Sequence, residues 1–160
     1  MQCRAARALL NISQSLIAKS AHVVTATVSE YERGSGTPVY NNLLAIRTAL
    51  ETAGVIFVPE NGGGLGVRLH GPRTKRAPAE STFSSDLCRA ARGLLGLSQM
   101  ELGEAANLSR STVTEFERGA RMPNPENLAA LRATLETAGA VFMPADRSGG
   151  PGVRLRDRSG

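Results

Sequence analysis

The octapeptide "TVSEYERG" at 27–34 returns as "TVTEFERG" at 112–119, an offset of 85 residues (112 minus 27). The repeat is not confined to this stretch. "CRAARALLNISQ" from Cys3 matches "CRAARGLLGLSQ" from Cys88, and "NLLAIRTALETAG" from Asn42 matches "NLAALRATLETAG" from Asn127. "GVRL" closes both copies after a slip of one residue. A chain of 160 residues built this way has room for two small homologous units rather than one larger core. The expected division is a first unit over 1–70, a basic Pro-containing linker over 71–84 and a second unit over 85–156. Arg73, Lys75 and Arg76 supply the linker's charge.

Local signals place helices in the second copy. Ser85 can cap a first helix that Gly96 ends. "SQME" at 98–101 has the form of a capping box, in which Ser98 and Glu101 satisfy each other's free amides. After a tight "NLS" turn, Ser109 can cap a third helix with Val113 and Phe116 on its inner face, ending at Gly119. Asn124 and Pro125 open a fourth, amphipathic helix through Leu128, Leu131 and Leu135. "VIFVPENGGGLGVRLH" and "AVFMPADRSGGPGVRLR" then each read as two short strands around a Gly-rich turn. "NGGGLG" is no phosphate loop, because it leads into a strand and not a helix N-terminus.

These residues carry a resemblance. "LSQMELGEAANLSRSTVTEFERGARMPNP" is similar to the helix-turn-helix of the Cro/CI-type (XRE) DNA-binding family, which includes the lambdoid phage repressors. The resemblance implies a mainly α fold of two tandem lambda-repressor-like helix-turn-helix units, each of four to five short helices followed by a small β-hairpin. It implies a transcriptional regulator whose partner is double-stranded DNA, in the cytoplasm at a bacterial or phage-like nucleoid. Gln99 matches the usual phosphate anchor, and the third helix matches the one that enters the major groove. Ser109, Arg110, Ser111, Thr112 and Glu115 form its reading face. Arg110 is the leading base reader, since a guanidinium can bridge guanine O6 and N7. Arg92 with Glu117, and Arg7 with Glu32, match a pair that ties the recognition helix to its scaffold.

The copies differ where reading would occur. Asn42–Pro59 keeps 11 of 18 residues of its partner segment, whereas Ser15–Ser29 keeps 3 of 15. Thr25, Ala26 and Thr27 stand in the first copy's reading positions, Gln14 stands in that of the phosphate anchor Gln99, and Val24 replaces the capping Ser109. Loss of such a cap costs about 1 kcal/mol unless Thr25 takes over. The first copy is expected to be a weaker or divergent reader, the alternative being a degenerate head kept for assembly.

Ile56, Phe57 and Val58, like Val141, Phe142 and Met143, are apolar on both strand faces, so another surface must cover them. They are the expected pairing interface, either within one chain as a pseudo-dimer or between chains as a homodimer. A protein-interaction regulator or antitoxin that uses the same fold to hold a protein partner is the alternative function.

Charge and chemistry agree with a binder. The net charge is +5 with a pI near 10.0, which favours an anionic partner. Residues 1–84 hold nine Lys/Arg against five Asp/Glu, and 85–160 hold ten against nine. Cys3 and Cys88 sit on apolar helix faces and read as small buried hydrophobes. No nucleophile, base or metal-ligand cluster stands at a useful spacing, so no catalytic residue, metal or cofactor is expected. The first residues are too polar for a signal peptide and no apolar run approaches roughly 18 residues, so no membrane segment is expected.

Overall fold

The computed structural model of the protein describes residues 1–71 and 83–157. The linker cations Arg73, Lys75 and Arg76 lie outside the described residues. The fold is mainly helical with one small antiparallel sheet. The first half runs α1 (Gln2–Leu10), α2 (Gln14–Ser20), α3 (Thr25–Arg33), α4 (Tyr40–Thr52), β1 (Val55–Val58) and β2 (Gly66–Leu69). The second half repeats that order as α5 (Ser85–Leu95), α6 (Gln99–Ala105), α7 (Arg110–Glu117), α8 (Pro125–Thr137), β3 (Ala140–Met143) and β4 (Gly152–Leu155).

Caps explain most of the boundaries. Ser98 and Glu101 form the reciprocal capping box of α6. Ser109 accepts from the Thr112 N–H to start α7, and Asn124 accepts from the Asn127 N–H to start α8. Gly96 closes α5 in the left-handed region. The cap of α5 itself is Ser84, whose side chain accepts from the Leu87 N–H, so Ser85 is the first helical residue rather than the cap. In the first half Ser13 caps α2, but α3 starts at Val24 without a side-chain cap, and Thr25 does not take over.

Two residues of the segment expected as a linker, Phe83 and Ser84, are part of the fold. Phe83 is buried, with its ring 5.9 Å from Phe116 and 5.2 Å edge-on to Phe142. Phe83 and Ser84 therefore belong to the folded second half, one as core and the other as cap.

The strand order is β1-β2-β4-β3, with every neighbouring pair antiparallel. This corrects the expected pairing residues. The two hairpins join through β2 and β4, while Ile56, Phe57, Val58, Val141, Phe142 and Met143 lie on the outer strands and are half-buried. The physical reason is how closely the backbones approach. Leu155 N–H donates to Leu65 O and Leu69 N–H to Pro151 O, marking the hydrogen-bonded positions of the seam. The alternate positions, Gly66 opposite Arg154 and Arg68 opposite Gly152, are the close ones, where Cα atoms stand about 4.5 Å apart. A Cβ on Gly66 or Gly152 would fall 2.4 Å from the opposing arginine Cβ. Only glycine fits there. Phe57 and Phe142, instead of pairing, face the helices, each beneath an arginine of the preceding helix: Arg47 at 5.7 Å and Arg132 at 5.9 Å from the ring centre.

Helices α1 and α5 lie side by side beneath the seam through Ala5, Ala6, Ala90, Ala91 and Gly93, all buried. Gly93 is pressed so close that an added Cβ would sit 3.2 Å from the Ala5 Cα. The contacts are reciprocal. Arg4 Nε donates to Gly93 O at 3.2 Å and Arg89 Nε donates to Ala8 O at 3.1 Å, the same bond made in both senses once 85 is added to 4 and to 8. The seam arginines behave likewise. Arg68 reaches into the 144–151 loop and donates to Pro144 O, Gly149 O and Gly150 O, with Asp146 as counter-ion at 3.0 Å. Arg154 reaches into the 59–65 loop but donates only to Gly62 O at 3.3 Å, and its Nε is buried without a partner among the described residues. One continuous apolar core results, with contributions from both halves.

Candidate nucleic-acid interface

Helices α6 and α7 meet through a tight turn in which Asn107 takes a left-handed conformation, φ 56°, and Leu108 N–H donates to Gly103 O. Asparagine is one of the few side chains that tolerates this region. Val113 and Phe116 anchor the inner face of α7 in the core. The outer face is left to solvent.

What fixes the angle of α7 is a buried carboxylate. Glu117 is 2 % exposed and accepts Arg92 Nε at 2.8 Å and Arg92 Nη2 at 3.0 Å. Arg92 Nη1 also donates to Leu97 O, so the pair spans the α5–α6 corner. Gln99 Nε2 donates to Glu117 Oε2 at 2.8 Å, and Thr114 Oγ1 donates to Gln99 Oε1 at 3.0 Å. The first half repeats the arrangement: Arg7 binds both oxygens of Glu32 at 2.9 and 3.1 Å, and Gln14 Nε2 donates to Glu32 Oε2 at 2.7 Å. Gln14 and Gln99 thus stand at the start of α2 and α6, but each commits one amide hydrogen to the network. The second hydrogen of each amide is left for an outside acceptor. The signal for this tie was present in the sequence, since a glutamine 18 residues before a glutamate occurs in both copies (14 and 32, 99 and 117).

The cysteines belong to the same network. Cys3 Sγ donates to Glu32 Oε1 and Cys88 Sγ to Glu117 Oε1, each at 3.7 Å. Burial and then the adjacent carboxylate push the Cys3 thiol up to about 12, and the same causes raise Cys88. Both remain neutral, free thiols.

Ser109, Arg110 and Ser111 are exposed on the leading turn of α7, with Thr112 and Glu115 half-buried behind them. Ser109 and Thr112 share a hydroxyl hydrogen bond at 2.9 Å, so their oxygens are partly held by the cap. Arg110 and Ser111 project from this turn. Beside α7 a concavity of about 430 Å³ is lined by Thr112, Glu115, Arg121, Met122 and Asn127. In the first half Thr25 and Ala26 are exposed, Thr27 is half-buried, and Val24 is 69 % exposed at the uncapped start of α3. The two leading turns therefore offer different chemistry: α7 presents a cation beside its hydroxyls, whereas α3 presents the uncharged Val24, Thr25 and Ala26.

Among the described residues no group of three His, Cys, Asp or Glu side chains is placed to hold a metal ion. None of the described helices is long and apolar enough to cross a membrane.

A helix-turn-helix family model matches residues 89–140, from within α5 to the first residue of β3. The match covers α6, the turn and α7, and suggests a DNA-binding transcription regulator. A search of curated proteins found no match.

Proposed function

We propose that the chain regulates transcription by binding a specific duplex sequence, with α7 in the major groove and α3 as a weaker or different reader. The observation that carries this reading is the leading turn of α7. It holds Arg110 and Ser111 free at the surface, within the matched segment, while Glu117 clamps the other end of the helix to α5 and α6. Arg110 is then the base reader, able to bridge guanine O6 and N7. The second amide hydrogens of Gln99 and Gln14 are suited to a phosphate oxygen. Exposed Arg118 and Arg121 add counter-charge near α7.

The paired halves act as a pseudo-dimer within one chain. The reciprocal Arg4 and Arg89 bonds and the β2–β4 seam support a two-fold relation between the units. Two readers related this way meet successive major grooves about 34 Å apart. Because the leading turns differ, the preferred site is an imperfect palindrome.

Selection of bound sequences from a random duplex pool, with the native chain and Arg110→Ala, tests the proposal. The native chain enriches a bipartite motif, and the variant loses preference at one half-site by about 1–3 kcal/mol. Absence of any enriched motif at moderate salt refutes it.

A further inference from the structure

The repeat makes each half a template for the other, and one internal space is filled in only one of them. In the second half the Phe83 ring lies against Phe116 and Phe142. Subtracting 85 from those two positions gives Tyr31 and Phe57. These line a cavity of about 390 Å³ in the first half, together with Cys3, Ile46, Arg47 and Leu50. Phe83 stands five residues before Cys88, at the start of the second half. The rest of the two walls corresponds closely: Arg47 stacks over Phe57 as Arg132 stacks over Phe142.

We propose that the Tyr31–Phe57 cavity is a binding site for a small monocyclic aromatic molecule, whose ring takes the place that Phe83 takes in the second half. The occupant's chemistry is read from the chain itself. A phenyl ring is what this set of side chains packs around when the position is filled, one ring tilted against it and another edge-on. Size agrees, since an apolar cavity of about 150 Å³ already admits benzene and ligand pockets generally span about 300–1,000 Å³. The polar groups of the wall are largely committed. Gln2 Nε2 donates to Val58 O and Gly66 O, Cys3 Sγ donates to Glu32, and Arg47 Nε pairs with Glu51. What they leave is an apolar lining that favours an uncharged ring. Tyr31 lies on α3, so an occupant would touch the element proposed as the first reader.

The test uses para-cresol as the probe, titrated into the isotope-labelled full chain and followed by amide and methyl chemical shifts. A second chain carries Phe-Ser-Ser ahead of Met1, which puts a phenylalanine five residues before Cys3. Saturable shifts at Ile46, Leu50 and Phe57, with Leu131, Leu135 and Phe142 unmoved, are expected in the native chain. The extended chain is expected to lose them and to melt a few degrees higher. Absence of saturable shifts at millimolar para-cresol, or their persistence unchanged in the extended chain, overturns the proposal.

Discussion

Replacing Gly152 by alanine is the most direct perturbation of the seam between the halves. The new Cβ would lie 2.4 Å from the Arg68 Cβ, 2.5 Å from Val67 O and 2.7 Å from the Arg68 Cα. Two of these three atoms are backbone, so no rotamer change relieves the clash. The β2 and β4 strands must separate, and Arg68 must withdraw from the 144–151 loop as they do. Overpacking of this kind costs about 1–3 kcal/mol, which for a chain of this size lowers the melting temperature by about 2–12 °C. Hydrogen exchange says where the loss falls. The Leu69, Gly64 and Leu155 amides donate across the seam and should lose protection, whereas amides bonded within each hairpin should keep it. An unchanged melting temperature with Leu69 and Leu155 still protected would refute the close-approach account of the seam.

Three further outcomes follow from the same contacts. Glu117→Ala strands Arg92 and Gln99, and removing one partner of a buried pair costs about 3–5 kcal/mol; a denaturant midpoint no different from that of a surface substitution would contradict the clamp. Asn61 stands where Asp146 stands in the second hairpin, so Asn61→Asp should give Arg154 a counter-ion and stabilise the chain by up to about 1 kcal/mol, an effect that added salt erodes. The Ser148 N–H and the Arg68 guanidinium hold the Asp146 carboxyl below the usual range, and the Ser98 N–H does the same for Glu101. Both folded values are depressed, so this stability is present above the unfolded carboxylate values near pH 4 and is lost as pH falls through the folded ones. Melting curves taken below about pH 4 should fall less steeply for Asp146→Asn than for the native chain, and parallel falls would rule the contribution out.

The helices of the second half were legible because their ends are written in side chains: the Ser98–Glu101 box, Ser109, the Asn124–Pro125 start and the Gly96 stop. The Arg–Glu pairs were legible through the family resemblance, and the structure places them in bidentate contact in both halves. Which strands meet was not legible from hydrophobicity. β1 and β3 have the greater need of cover, yet strand approach is decided by where a missing side chain lets two backbones close, and that is at Gly66 and Gly152. The signal was the repeated "GVRL", a glycine set two residues before an arginine so that antiparallel pairing puts each glycine under the other copy's arginine. The place of Arg68 was not legible for a related reason, since arginine ordinarily stays at the surface and here is 6 % exposed, its donors taken by carbonyls of the other hairpin. Phe83 was hidden by its Pro, Ser and Thr neighbours, which read as linker whatever the one aromatic among them does.

The differences between the halves share a direction. Helix α3 begins at Val24 without a cap where α7 has Ser109, and α2 has Ser13 but Leu16 in place of the Glu101 that completes the box of α6. The 59–65 loop offers Arg154 one carbonyl where the 144–151 loop offers Arg68 three carbonyls and a carboxylate. The cavity beside Tyr31 corresponds to the place of Phe83. Each of these weaker features belongs to the first half. In a symmetric association of identical chains every such loss would be incurred twice, once at each copy. In one chain it is incurred once. The closing of the seam is also intramolecular here, so it draws on a high effective concentration and does not depend on protein concentration. The first half can therefore lose local stability in α3 while the second half holds the shared core. That is the physical condition under which the first reading surface could diverge and the α1–α5 and β2–β4 contacts stay reciprocal.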